Sequence, residues 1–154
     1  MARRSRHVFV FRARLVGVRG VRRRVAVRGD QTLADLHGAL QDSFEWPDDQ
    51  LYAFWLDGVH WSRRGVEFVD PRHARELGDP HPRSARVRLG DLGLQPGQKI
   101  AYVFDFATEW RVELTVARVD ADDGGVYPRL LESIGEAPPQ SPGFTYRALR
   151  EDVA

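Results

Sequence analysis

The chain has 154 residues, of which 42% are hydrophobic and 29% are charged, as is typical of one globular domain with an apolar core. It contains no cysteine, which excludes disulfides, thiolate metal sites and cysteine nucleophiles. It also has no apolar run of the roughly 18 residues that a membrane helix needs, and no apolar segment behind its basic N-terminus. We therefore expect a single cytoplasmic domain spanning residues 1–154, without a membrane partner.

Charge is distributed unevenly along the chain, although its net value is only +1. Residues 1–29 contain ten arginines and no acid, so the remainder carries a net charge of −9. Residues 1–6 are expected to form a short basic arm. Such an asymmetry indicates either an anionic partner or an attraction between the two halves of the folded chain.

The first element is a predicted β-hairpin. Phe9, Phe11, Ala13 and Leu15 share one face of the first strand, and two valines and two arginines share the other. Residues 17–20 supply a glycine-rich turn, and residues 21–28 form the return strand. The opposite face of this hairpin is basic, and we take its arginines as a candidate anion-binding or nucleic-acid-binding surface: Arg12, Arg14, Arg22, Arg24 and Arg28.

An amphipathic helix follows the hairpin. Thr32 is a good N-cap, and Asp35 stands three residues later to complete a capping box. His37 falls within the predicted apolar stripe, where a hydrogen-bonded core histidine is favoured over a ligand or a proton-transfer role. The stripe itself has helical spacing: Leu33, Leu36, Leu40 and Phe44.

Residues 51–56 are apolar on both alternating faces, which predicts a central strand. Asp57 and Gly58 then favour a two-residue hairpin, with residues 59–61 pairing back. Residues 70–85 hold three prolines and lack periodicity, so we expect a long surface loop.

The second half is dominated by a predicted antiparallel pair of strands. A single helical turn at residues 89–94 precedes a strand, and residues 110–116 alternate as its half-exposed partner. The acidic turn 120–125 does not fit a calcium loop, because Leu131 stands where a bidentate glutamate is needed. From residue 127 the chain is expected to be irregular, with at most a short helix at 145–152. The strand that follows the single helical turn is predicted to place these side chains on its inner face: Ile100, Tyr102, Phe104 and Phe106.

This order of elements predicts an α+β fold. We expect a β-grasp-like mixed sheet wrapped around one main helix, with an extra antiparallel strand and an irregular C-terminal segment. In that topology the long strand after the single turn lies beside the first strand.

Three segments in this order resemble the plasmid pRiA4b ORF-3-like family of bacterial and archaeal proteins: TLADLHGALQDSFEWPDDQLYAF, LGDLGLQPGQKIAYVFDFATEW and YPRLLESIGEAPPQ. The resemblance extends from about Phe9 to Tyr146 and implies a fold without carrying over a biochemical activity. The chain departs from the family pattern at Ala107 and Thr108, where a glycine and an acid are usual. A metal or acid/base site at that turn is therefore not carried over.

Three function classes can be weighed from these features. An enzyme would need a reactive cluster. The best candidates are Asp105 and Glu109 at the turn that leads into Trp110, with His37 or Asp57 as an additional member. The chain has no phosphate-binding glycine loop, serine elbow or paired-histidine motif, and no metal or cofactor is expected.

We therefore favour a non-enzymatic protein-interaction module with an unidentified protein partner. The alternative is a nucleic-acid-binding protein of a plasmid or mobile element that uses the basic hairpin, and a metal-dependent enzyme ranks third. The oligomeric state stays open.

Overall fold

The computed structural model describes residues 6–64, 66–78 and 83–141. In this part of the chain there are eight strands, two α-helices and one 3-10 turn. None of the helices within these ranges is long and apolar enough to cross a membrane. The elements in chain order are β1 (His7–Leu15), β2 (Arg22–Arg28), α1 (Leu33–Ser43), β3 (Tyr52–Trp55), β4 (Glu67–Val69), α2 (Pro71–Leu77), β5 (Arg83–Ser84), the 3-10 turn (Leu89–Asp91), β6 (Lys99–Phe104), β7 (Trp110–Ala121) and β8 (Arg129–Ile134).

All eight strands belong to one open sheet with the order β5-β4-β3-β6-β7-β1-β2-β8. Only β4 and β5 pair in parallel, and every other neighbouring pair is antiparallel. The mixed α+β class is confirmed, as are the β1–β2 and β6–β7 hairpins. The strand beside β1 is β7 rather than β6, because β7 pairs with β1 along its whole length, from His7 opposite Ala121 to Leu15 opposite Val112.

Helix α1 begins where its capping signal predicts. The Asp35 amide donates to the Thr32 hydroxyl at 3.1 Å, and the Thr32 amide donates to the Asp35 carboxylate at 2.8 Å. This reciprocal pair satisfies two amides that the first helical turn leaves without partners. The predicted apolar stripe is buried against one face of the sheet, which we call the inner face. Burial of each large apolar side chain contributes about 1.5–3 kcal/mol to the stability of the fold, before the loss of conformational entropy is subtracted.

A strap at residues 138–140 closes one end of this core. The indole N–H of Trp46 donates to the Pro138 carbonyl at 3.0 Å, and that of Trp110 donates to the Gln140 carbonyl at 2.8 Å. The Gln140 side chain both accepts from the Asp48 amide and donates to the Asp48 carbonyl, each at 2.8 Å. The strap therefore satisfies two buried indoles that would otherwise lose a hydrogen bond.

Three expectations for the loops are wrong. Residues 59–61 form no strand, because the partner of β3 on that side is β4. The predicted loop 70–85 contains α2, which starts with Asp70 as N-cap and Pro71 in the first turn; none of its seven residues is buried, so it has no apolar stripe to signal it. The segment after residue 127 is not wholly irregular, since β8 pairs with β2. The predicted helix at 145–152 and residues 1–5 of the arm lie outside the described residues.

Phe106 lies on the opposite face from the one predicted. Ile100, Tyr102 and Phe104 join the inner core as expected, but β6 ends at Phe104. Asp105 then adopts a left-handed conformation with φ 62, which breaks the alternation. Phe106 consequently packs on the outer face of the sheet, which is the face turned away from α1.

Candidate functional site

The outer face is covered at two places and open between them. Tyr127 packs over Val8, Val10 and Ala26 near the start of β1. Near β3 and β6, Phe106 and α2 cover a second apolar cluster that includes Trp55. The strip between these two covers is an open groove of about 350 Å³.

This groove, which we call the arginine groove, is floored by charged side chains from five strands. Four of the predicted arginines meet there, joined by Lys99 from β6, Glu113 from β7 and Glu132 from β8. Arg23 also contributes to the wall, but its guanidinium turns inward. The four arginines are Arg12, Arg14, Arg22 and Arg24.

Strand register places these arginines in directly opposed pairs. Arg12 lies opposite Arg24, and Arg14 lies opposite Arg22. Like charges that face each other across two strands destabilise a sheet. An anion in the groove would therefore relieve a repulsion that the fold itself creates.

Carboxylates neutralise only part of this charge. Glu113 lies 3.4 Å from Arg14 and 3.3 Å from Lys99, and these two cations lower the pKa of its carboxyl against the opposing effect of burial. Within the described ranges, no carboxylate lies within ion-pair distance of Arg12, Arg22 or Arg24. The Nε of Arg24 is buried without a hydrogen-bond partner.

The fifth predicted arginine does not join the groove. Arg28 lies at the far end of β2, beyond Ala26 and the cover formed by Tyr127. Its Nε donates to the Asp30 carboxylate at 2.7 Å, and this hydrogen bond raises the pKa of the guanidinium. Arg28 is therefore already neutralised locally.

The side chains of the candidate turn site make contacts that stabilise the turn itself. The Asp105 carboxylate accepts from the Ala107 amide at 3.2 Å and from the Thr108 hydroxyl at 3.1 Å. Glu109 pairs with Arg111 at 2.6 Å, while Trp110 is fully buried in the inner core. Among the described residues there is no group of three or more histidines or acids that could hold a metal ion.

The core interpretation of His37 is confirmed. Its ring is buried, its Nδ1 lies 2.7 Å from the Tyr102 hydroxyl, and it stacks on Tyr52 with ring centroids 3.6 Å apart. Burial lowers its pKa to about 4 even though Asp49 lies 3.7 Å from Nε2. Tyr102 has no solvent exposure and His37 is only 6% exposed, so both side chains belong to the core.

Sequence reasoning missed the groove residues that come from other strands. Lys99, Glu113 and Thr115 reach the groove because β7 lies beside β1 and β6 beside β7. Glu132 was missed because β8 lacks the alternation that signals a strand. Alternation along β7 did indicate that Glu113 faces outward, but not which strand would lie next to it.

Comparison with known proteins identifies the family. The family model described as "Plasmid pRiA4b ORF-3-like protein" matches residues 7–151, so the chain belongs to this family. None of the curated proteins matches the chain. The crystal structure of the protein of unknown function MM3350 from Methanosarcina mazei Go1 is similar, with a TM-score of 0.73 and 22% sequence identity, over 92% of this chain and 78% of that one. At this identity the likeness shows a shared fold alone.

Proposed function

We propose that this member of the plasmid pRiA4b ORF-3-like family is a non-enzymatic binding module whose arginine groove holds the phosphate backbone of a nucleic acid. The observation that carries the proposal is the pair of opposed arginines, Arg12 with Arg24 and Arg14 with Arg22. Guanidinium groups bind phosphate through paired, charge-assisted hydrogen bonds, and bound phosphates would neutralise the repulsion between the strands.

The charge of the groove sets the expected strength of binding. Five cations face Glu113 and Glu132, which leaves an excess of three positive charges. Neutralising about three phosphates gives a slope of log K against log salt of about −2 for a single strand and about −3 for a duplex. These contacts go to phosphates rather than base edges, so this part of the interaction is independent of sequence.

Fluorescence anisotropy of labelled single- and double-stranded DNA and RNA, repeated at several salt concentrations, tests the proposal. The variant Arg12→Gln with Arg24→Gln removes two charges from the groove. Its matched control, Arg75→Gln with Arg86→Gln, removes two exposed charges outside it.

We expect the groove variant to bind at least about tenfold more weakly, with a salt slope smaller by about 1.4, because two phosphate contacts are lost. The control should bind like the unmodified protein. Equal binding by both variants would exclude the groove as the nucleic-acid surface.

A protein partner remains the second candidate, and β8 is the observation that favours it. This strand pairs with β2 on one side only and ends the sheet. Three of its apolar side chains are strongly exposed, namely Leu130 at 51%, Leu131 at 41% and Ile134 at 46%. An unpaired apolar edge suits the addition of a partner's strand. Partner capture that is unaffected by Leu131→Lys would argue against this edge.

We also propose a topology for the fold and a location for the protein. The β1–β2 hairpin, α1, β3 and β6 follow one another in β-grasp order, and we propose an elaborated β-grasp with β7 inserted between β6 and β1. A single domain in a bacterial cytoplasm remains a prediction from the sequence.

A further inference from the structure

A row of aromatic rings lies on the outer face beside the arginine groove, and we call it the aromatic shelf. It consists of Trp55, Trp61, Phe106 and His73. Ring centroids are 4.9 Å apart between Trp55 and Trp61, 5.2 Å between Trp61 and Phe106, and 5.9 Å between Phe106 and His73. Trp55 is fully buried, whereas Trp61 is 40% exposed and presents its ring to solvent.

The loop at residues 57–61 holds Trp61 in place. The Asp57 carboxylate accepts from the Val59 amide at 3.1 Å and from the Ser62 hydroxyl at 2.5 Å. His60 approaches the sheet with its Nε2 3.2 Å from the Val112 carbonyl oxygen. The Asp57 contacts fix the shape of the loop, and the His60 contact holds the loop against the sheet.

Two features of the shelf are costly for a part that only covers the sheet. Trp61 has a φ of 61, in the left-handed region that bulky residues rarely adopt. The Nε1 of Trp55 and the Nδ1 of His73 are buried without hydrogen-bond partners. Backbone strain of this kind clusters at active sites and ligand clamps, and a buried polar atom without a partner in a native structure requires an explanation.

The shelf and the arginine groove meet at Lys99. A Cβ placed on Gly58 would lie 2.8 Å from the Cβ of Lys99, so the 57–61 loop packs directly on that residue. The Lys99 ammonium in turn donates to Thr115, at 3.0 Å, inside the groove. Three strand steps separate β3, which carries Trp55, from β1, a distance of about 14 Å at the usual strand spacing. One short oligonucleotide can therefore reach both surfaces.

We propose that the aromatic shelf is a base-stacking site, where a nucleobase of a single strand stacks on Trp61 while the neighbouring phosphates lie in the arginine groove. The inference rests on the proposed function and narrows it to single-stranded nucleic acid. Bases inside a duplex are already stacked on one another, whereas those of a single strand can turn onto an aromatic side chain. A positive groove beside an exposed aromatic ring is the combination that proteins binding single strands without sequence preference use.

Tryptophan fluorescence gives a direct reading of this site. The other three tryptophans, Trp46, Trp55 and Trp110, are each 1% exposed or less, so a base that stacks at the surface quenches mainly Trp61. The probes are an oligothymidylate, an abasic oligonucleotide of the same length with identical phosphates, and a blunt duplex. The protein is tested unmodified, as Trp61→Phe and as Trp61→Ala, with the fold of each variant checked by circular dichroism.

We expect the oligothymidylate to quench the unmodified protein and to bind about five- to a hundredfold more tightly than the abasic strand, the range expected from one stacked base. Trp61→Ala should lose this preference but keep the salt slope, whereas Trp61→Phe should keep most of the preference because it keeps a ring. The duplex should bind without quenching.

Equal affinity for the two strands in the unmodified protein, or a base preference that survives in Trp61→Ala, would overturn the inference. If the oligothymidylate and the abasic strand bind equally well and with a negative salt slope, the proposed function stays intact. No binding of any oligonucleotide at low salt would instead overturn the proposed function, and the inference with it. If Trp61→Ala fails to fold, the comparison of the two strands on the unmodified protein decides alone.

Discussion

Acid should destabilise this protein through one buried side chain, His37. Burial lowers the pKa of its ring to about 4 from the ordinary 6.5, and the opposing attraction of Asp49 does not restore it. In the unfolded chain the same ring takes up a proton near pH 6.5, whereas in the folded protein it does so only near pH 4. Between these values the unfolded state binds more protons, so the free energy of unfolding rises with pH in this window.

The magnitude follows from the difference between the two pKa values. A difference of about 2.5 corresponds to about 3 kcal/mol at 1.4 kcal/mol for each pKa unit. The contribution is fully present above pH 6.5 and is lost as the pH falls to 4. Because a domain of this size is stabilised by about 5–15 kcal/mol, the loss is a large fraction of the total.

Urea unfolding at pH 7, 6, 5 and 4 measures this effect, with His37→Gln as the reference. Glutamine can keep a hydrogen bond to Tyr102 but does not titrate. We expect the variant to be less stable at pH 7, because it has lost the stacking on Tyr52. The difference in free energy of unfolding between the two proteins should then decrease by about 3 kcal/mol by pH 4. The charged groups that face His37, which include Asp49, Asp70 and Arg72, are present in both proteins. Parallel curves for the two proteins would refute the reasoning.

Two further predictions concern buried polar contacts. Arg23 donates to three carbonyl oxygens at 2.7–2.8 Å, one of them at the C-terminal end of α1. Arg23→Met should therefore lower the free energy of unfolding by about 3–5 kcal/mol in denaturant titrations, and Arg23→Lys by less; a loss below about 1 kcal/mol would show that water replaces the guanidinium. Gln140→Ala removes both side-chain contacts with Asp48 and should cost about 1–2 kcal/mol. The control is Gln95→Ala, a substitution at an exposed site, which should hardly change the thermal unfolding midpoint of the protein. Equal unfolding midpoints for the Gln140→Ala and Gln95→Ala variants would contradict the role of the strap.

The local elements of this fold could be predicted because their signals lie within a few residues. The capping box of Thr32 and Asp35 and the stripe that follows them are sufficient to specify α1. Alternation in β1 and β7 is sufficient to say which side chains face the core. Alternation in β1 and β2 likewise placed Arg12, Arg14, Arg22 and Arg24 on one outer surface, so this part of the groove could be predicted from the sequence.

Where the prediction failed, the cause was a backbone conformation or a pairing that no local pattern encodes. The left-handed Asp105 is followed by Phe106 on the outer face instead of the inner one. Trp61 is also left-handed, and residues 59–61 do not form the strand that was expected there. Helix α2 is too short and too exposed to show periodicity, although Asp70 and Pro71 do mark its start.

The sequence by itself determined the helix, the main hairpins and the four arginines of the groove, because propensity, capping and alternation act between near neighbours. Only the tertiary structure decided that β7 lies between β6 and β1, which brings Glu113 and Lys99 beside those arginines. It also decided that Trp61 and Phe106 share the outer face with the groove. The order of strands depends on how the whole core packs, and the period within one strand carries no record of its neighbour.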